Sequence, residues 1–179
     1  MSGAESTLQL RPLEGADASA VYDLFCVPQV YRYLADGQAP TRALTDQWVS
    51  EALREREEHR LGAWALTDQT LLVGLVRLAY GIEASRDAEL TYVLHPEHWG
   101  QGLATEMGAA VIEHGFSCGL TSITAGFDVP NAASGRVLER LGFTFARKIA
   151  YPAGPGREYV LQASDECVSR LRSRFSFRR

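Results

Sequence analysis

Apolar and polar residues alternate along Leu8-Gln9-Leu10-Arg11-Pro12-Leu13, the two-residue period of a half-buried strand, and Gly15 breaks the run. Asp17 is placed as an N-cap, and Ala20, Val21, Leu24 and Phe25 follow at helical spacing to about Cys26, with Pro28 as the stop. Val30-Tyr31-Arg32-Tyr33-Leu34 is an aromatic stretch before the turn Asp36-Gly37-Gln38-Ala39-Pro40. From Thr41, the positions Leu44, Trp48, Val49, Ala52 and Leu53 make one apolar helical face. The charges from Arg54 to Glu58 read as the solvated end of that helix, with local ion pairs.

Leu61 to Leu66 and Leu71 to Tyr80 predict two strands joined by the turn Thr67-Asp68-Gln69-Thr70, hence a hairpin, with a loop over 81–87. Glu89-Leu90-Thr91-Tyr92-Val93-Leu94 is extended and ends at Pro96, which cannot donate to a ladder. A glycine-containing turn from Trp99 leads into a helix lasting to about Cys118, with Gly119 at its end. Ser122 to Phe127 predicts a strand, Ala132 to Leu141 a helix opened by Pro130 and Asn131 and closed by Gly142. Thr144 to Ala150 and Arg157 to Gln162 predict two last strands around the turn 152–156. The fold class is α/β, with a mixed sheet and a right-handed strand–helix–strand crossover at its centre.

A chain of 179 residues with 46% hydrophobic and 22% charged residues is one ordinary globular domain. Residues 1–7, small and polar, are expected to fray, the domain to occupy 8–162, and 163–179 to form a basic tail. A net charge of −4 gives the body no reason to bind nucleic acid. Cys26, Cys118 and Cys167 have neither CxxC nor Cys/His spacing and read as reduced thiols, so no disulfide frame and no metal site is expected. Neither a signal-type leader nor an apolar run near ~18 residues is visible, and the expectation is a cytoplasmic protein without a membrane span.

The stretch that carries chemistry is Ala88 to Gly119. A strand, a turn of small residues and a helix start together present unpaired amides and the positive end of a helix dipole. The ligand expected there bears phosphate, as a pyrophosphate does.

Trp99-Gly100-Gln101-Gly102-Leu103-Ala104 resembles the acyl-CoA motif of the GCN5-related N-acetyltransferase (GNAT) superfamily, with Trp99 where Gln or Arg is common. With Thr105-Glu106 after it, the motif looks like the branch of the ribosomal-protein N-terminal (RimJ/RimL-type) acetyltransferases. Val30 to Leu34, Glu89 to Leu94, and Asn131-Ala132-Ala133-Ser134 followed by Val137 to Phe143 resemble the same branch, in the expected order over roughly residues 8–162. The resemblance implies a GNAT-type fold with central splayed strands and helices on both faces, and acetyl-CoA as cosubstrate.

On this resemblance, Trp99, Gly100, Gln101, Gly102, Leu103, Ala104 and Thr105 would hold the cofactor's pyrophosphate. Leu94 would contact its pantetheine arm, and the Tyr92 backbone amide would face the acetyl oxygen. Asn131 and Ser134, at i and i+3, can face one ligand, and Ser134 could bond the thiol sulfur; Asn131 fits equally well as a helix N-cap only. Many members place a tyrosine acid where this chain has Leu138, which moves weight to Ser134 or water. Glu89 is the candidate base, directly or through water; its bland alternative is an edge carboxylate paired with Arg77 or Arg86. His95 and His98 flank Pro96 and are candidates for proton transfer, but histidines are common loop residues. Tyr31, Tyr33 and Trp48, with Arg32, would border the amine acceptor, or form a packed rim.

The expected function is transfer of acetyl from acetyl-CoA to a primary amine, a protein N-terminal α-amine or a small molecule, by direct attack in a ternary complex. A catalytically silent acyl-CoA-binding sensor or assembly module is the rival. The strand-rich C-terminal half could support a homodimer. The end, Arg170 to Arg179, interleaves five arginines with two phenylalanines and could touch RNA, although a solvated tail is the commoner use.

Overall fold

The computed structural model describes residues 8–34, 36–80, 86–152, 154–164 and 169. In chain order its elements are β1 (Leu8–Pro12), a 3-10 turn (Gly15–Asp17), α1 (Ala18–Phe25), α2 (Pro28–Tyr31), α3 (Arg42–His59), β2 (Gly62–Asp68), β3 (Leu71–Tyr80) and β4 (Asp87–Leu94). A second 3-10 turn (Pro96–His98), α4 (Leu103–Ser117), β5 (Ser122–Asp128), α5 (Ala132–Leu141), β6 (Thr144–Tyr151) and β7 (Gly154–Gln162) complete it.

The strands form one sheet in the order β1-β2-β3-β4-β5-β7-β6. Its pairs are antiparallel apart from β4 and β5, the two strands that α4 connects. Side-chain alternation along each strand feeds two cores, one per face of the sheet. Val93, Leu75, Ala63 and Ala65 pack with Val21, Leu24, Phe25, Val49 and Ala52 from α1 and α3. Leu90 and Leu94 point the other way, onto Met107, Val111 and Ile112 of α4 and Leu138 and Leu141 of α5. Met107, Ile112, Leu138 and Leu141 have no exposed surface, and each such side chain contributes about 2 kcal/mol of burial. The mixed α/β sheet expected from the pattern is the one observed.

Local expectations are corrected or extended at four places. Asp17 precedes α1, but its carboxylate caps nothing there; it accepts from the Arg11 guanidinium (2.7 and 2.8 Å) and from the Glu14 amide (2.9 Å). Pro28 not only follows the end of α1, with Val27 before it extended, but also starts the short α2 at its first turn, where a missing N–H costs nothing. Leu44 is 59% exposed, so the buried stripe of α3 is Thr45, Val49 and Ala52. The Arg54–Glu58 run is not wholly solvated. Glu55 takes two 3.0 Å bonds from Arg77 on β3, and the Arg56 guanidinium lies over the Trp64 ring.

α3 starts next to Thr41 as expected, and the Thr41 side chain caps it, accepting from the Leu44 amide. The last two strands run further than predicted, to Tyr151 and from Gly154. The N-terminal residues 1–7, Cys167 and the arginine-rich end at 170–179 lie outside the described residues, as does most of the loop at 81–87. Among the described residues, no helix is long and apolar enough to cross a membrane, and no group of His, Cys, Asp or Glu could hold a metal ion.

Candidate active site

β4 and β5 stay paired only from Asp87↔Ser122 to Glu89↔Thr124. Beyond that rung β4 continues along β3 to Leu94, while β5 continues along β7 to Asp128, so the sheet opens in its middle. The His95 amide donates to the Val73 carbonyl at 2.8 Å, which sets the phase of the antiparallel ladder. Residues 93, 91 and 89 therefore turn their backbone groups toward β3. Tyr92 and Leu94 turn theirs toward the gap, where no strand meets them. The Leu94 carbonyl is taken by the Trp99 indole N–H at 2.7 Å. The Leu94 amide and both main-chain groups of Tyr92 are left facing the opening.

A cleft of about 780 Å³ occupies this gap and crosses the sheet. On its α4 side, Gly100 and Gly102 adopt φ of 75° and 85°, a region that L side chains rarely enter, and a Cβ on either would meet only open space. Gly102 is the N-cap of α4 and makes no side-chain cap bond, so the Leu103 and Ala104 amides, having no helical acceptor, are free for a ligand. Thr105 is 3% exposed and lines the cleft, yet its Oγ1 has no partner among the described residues. An anion with several acceptor oxygens fits this cradle, and the pyrophosphate of CoA is of that kind. Arg136 and Arg140 of α5 line the same cleft and add positive charge. Gln101 instead donates its side-chain amide back to the Glu97 carbonyl (3.2 Å).

Asn131 caps α5, its Oδ1 accepting from the Ser134 amide at 3.3 Å, and it also lines the cleft. The capping and ligand-facing readings are thus compatible, since the cap leaves its side-chain N–H donors unused. Ser134 faces the gap, and the Tyr92 hydroxyl reaches it from β4, 2.6 Å from Ser134 Oγ and 3.0 Å from Ser134 O. Burial pushes the Tyr92 phenol up to about 12, against the opposing effect of the Ser134 bond. Leu138 has no exposed surface and belongs to the core. Sequence reasoning took only the amide of Tyr92; the partnership of its side chain depends on how β4 faces α5.

The opposite mouth of the cleft is acidic. Glu89 projects from β4 into open space, but the walls beside it displace water and raise its carboxyl above the usual range. The Glu158 carboxylate adds to that rise, and Arg77 opposes it. Arg77 itself bonds Glu55 (3.0 Å) and approaches Glu51 (3.9 Å), and Glu89 forms no ion pair among the described residues. Two further groups here were missed by sequence reasoning. Asp128, at the end of β5, has a buried Oδ1 without a partner among the described residues, and burial raises its carboxyl. Tyr151 of β6 lies across Gly126 and Gly156, where a Cβ would collide with its ring and hydroxyl. Burial pushes its phenol up to about 12, helped by Glu89, Asp128 and Glu158. Two glycines inside strands were the available signal, because they mark a close approach from above.

Of the aromatic residues expected near an acceptor, Tyr33 lines the cleft, beside Gln29, Val30 and Leu34. Tyr31 and Trp48 do not line it. The Trp48 ring packs edge-on to Phe25 at 5.2 Å under the Arg77 guanidinium at 5.1 Å. His98 borders the cleft, whereas His95 turns its Nδ1 to the Glu97 amide.

Residues 7–144 match the family described as acetyltransferase (GNAT) domain. An uncharacterized N-acetyltransferase of Bacillus subtilis (strain 168), YoaA, is 33% identical over 141 residues, which cover 76% of this chain and 78% of that protein. Spermidine N(1)-acetyltransferase of Escherichia coli (strain K12) is 25% identical over 139 residues, 77% of this chain and 73% of that one. Among solved structures, Mycobacterium smegmatis RimJ in complex with CoA-disulfide superposes with a TM-score of 0.75 at 19% identity, over 93% of this chain and 88% of that chain. At that identity the likeness is one of fold.

Proposed function

The chain belongs to the acetyltransferase (GNAT) family, and from that premise we propose that its cleft binds acetyl-CoA on the α4–α5 side and a cationic primary amine on the Glu89 side. The observation that carries the reading is the parting of β4 from β5 after Glu89, which leaves the Tyr92 and Leu94 amides unpaired between the two mouths. The thioester supplies an activated acetyl carbon and a thiolate leaving group.

Gly100, Gly102, Leu103, Ala104 and Thr105 hold the pyrophosphate, with Trp99 at the rim and Asn131 beside it. The Leu94 amide pairs with the pantetheine arm, and the Tyr92 amide donates to the carbonyl oxygen as it gains charge. One preorganised donor of that kind lowers a barrier by ~3–4 kcal/mol. On the far side, Tyr33 borders the acceptor, and the carboxylates of Glu89 and Asp128, which line the cleft, favour an ammonium group. Glu89 takes one proton from it, directly or through water, which frees the nitrogen lone pair. The new C–N bond forms as the C–S bond breaks, and its electron pair goes to sulfur. Ser134 donates a hydrogen bond to that sulfur, and the second proton shed by nitrogen balances the thiol. The acidic mouth and the spermidine acetyltransferase among the relatives support a small aliphatic amine over a peptide N-terminus.

Release of free thiol from acetyl-CoA, followed colorimetrically with a panel of polyamines, simple amines and N-terminal peptides, tests the reading. Release that depends on a polyamine or simple amine is expected. Tight acetyl-CoA binding with no acceptor-dependent release across the panel would overturn it in favour of a silent binding module.

A further inference from the structure

We infer that Tyr92 is a positioning residue for acetyl transfer, its hydroxyl holding the Ser134 hydroxyl in the one orientation that donates into the cleft. The inference rests on the reading above, in which Ser134 meets the departing sulfur. Tyr92 Oη and Ser134 Oγ are 2.6 Å apart, at the short end for two hydroxyls. The contact spans the gap at the level where β4 has already left β5, so it ties the two walls together where no backbone bond does.

Proton counting limits the arrangement. Each hydroxyl has one hydrogen. If Ser134 gives its hydrogen to Tyr92, nothing remains to donate to sulfur. If Tyr92 gives its hydrogen to Ser134 Oγ, the serine hydrogen must point elsewhere, and the open direction is the cleft. The competing acceptor, the Ser134 carbonyl, is the longer contact at 3.0 Å and by helix geometry already takes the amide four residues on. A chain running from phenol to serine to sulfur also polarises each link, so the serine becomes a better donor than a lone hydroxyl. With its phenol pushed up to about 12, Tyr92 keeps its proton at working pH and no phenolate forms. Tyr92 therefore acts through Ser134, and the proton that ends on sulfur is still the one nitrogen sheds.

A double-mutant cycle reads this directly. Tyr92→Phe, Ser134→Ala and the double variant are compared for kcat, KM for acetyl-CoA and CoA affinity, with melting curves to show that each is folded. Tyr92→Phe should lower kcat about tenfold, the loss of roughly one hydrogen bond, with KM and CoA affinity changed less than about twofold. In the Ser134→Ala background it should lower kcat no further. An equal loss in both backgrounds, or wild-type kcat in Tyr92→Phe, overturns the inference while leaving acetyl transfer intact. A wild-type chain that releases no thiol with any amine sinks both. Should Tyr92→Phe fail to fold, a fluorinated tyrosine at 92 keeps shape and hydroxyl. At a pH where the fluorophenol stays protonated, a kcat equal to the parent's supports positioning, and a kcat that shifts in step with the phenol's acidity overturns it in favour of proton donation.

Discussion

The Trp99 indole N–H donates to the Leu94 carbonyl at 2.7 Å, although half of the Trp99 surface is exposed. That bond occupies the acceptor of Leu94 that faces the gap, so of the main-chain groups of Leu94 its amide alone is left for a ligand. It also ties the last residue of β4 to the turn before α4, so the strand edge and the Gly100–Gly102 turn are joined.

Trp99→Phe keeps a ring and removes this donor. The fold should survive, since half of the Trp99 surface is already exposed and an aromatic ring is kept. Affinity for acetyl-CoA should fall by about 1 kcal/mol, roughly fivefold, because the freed Leu94 carbonyl and the loosened turn no longer present the amides in one geometry. Calorimetric titration of the variant with acetyl-CoA checks it; unchanged affinity would show the bond to be incidental.

Glu89 is raised above its ordinary range by burial and by Glu158. A carboxyl raised in the folded chain holds its proton to higher pH than in the unfolded chain. Its stability contribution is therefore full below the unfolded value and is lost as pH rises through the folded one. Glu89→Gln, which cannot ionise, should melt above the parent at about pH 8, with the gap closing toward about pH 4. Its turnover should drop about 100-fold and lose the acid limb of the pH profile. Glu158→Gln, removing the neighbouring charge, should move that limb to lower pH. A limb that stays in place in both variants would remove Glu89 from proton transfer.

The Arg77–Glu55 pair joins β3 to α3, with side chains 12% and 17% exposed. Glu55→Ala leaves a mostly buried guanidinium with the longer Glu51 contact as its one ion pair and should cost about 3 kcal/mol in urea unfolding. Glu55→Ala with Arg77→Met should recover much of that loss. If the single variant unfolds like the parent, the pair is a surface contact in energetic terms.

Gly126 is bare because Tyr151 lies over it. Gly126→Ala must push that ring aside, costing roughly 1–3 kcal/mol of stability. The KM for the amine should rise roughly tenfold, while CoA affinity, set on the other side of the sheet, stays the same. Loss of CoA affinity instead would place Tyr151 on the wrong mouth.

Much of this was legible along the chain because its signals are local. Alternation marks β4, the cap at Asn131 and the glycine at 142 bracket α5, and the small residues at 100–104 mark a ligand turn whatever surrounds them. Where reading by pattern failed, the deciding partner was distant. Leu44 has helical spacing to Trp48 but is left 59% exposed. Glu55 looks like one charge in a solvated run until β3 brings Arg77 beneath it. Trp48 reads as a rim aromatic until Phe25 and Arg77 close over its ring.

Hydrophobic period and turn chemistry settled the order and type of the strands and of every long helix, though not the short α2, and they marked the small-residue turn before α4 and the carboxylate near the start of β4. Those depend on residues within a few positions of one another. Only the three-dimensional packing decided that β4 leaves β5 after Glu89, that Tyr92 meets Ser134 across the opening, and that Asp128 and Tyr151 join Glu89. Each is a meeting of segments dozens of residues apart, set by which faces of the sheet and helices bury together, and no local pattern encodes it.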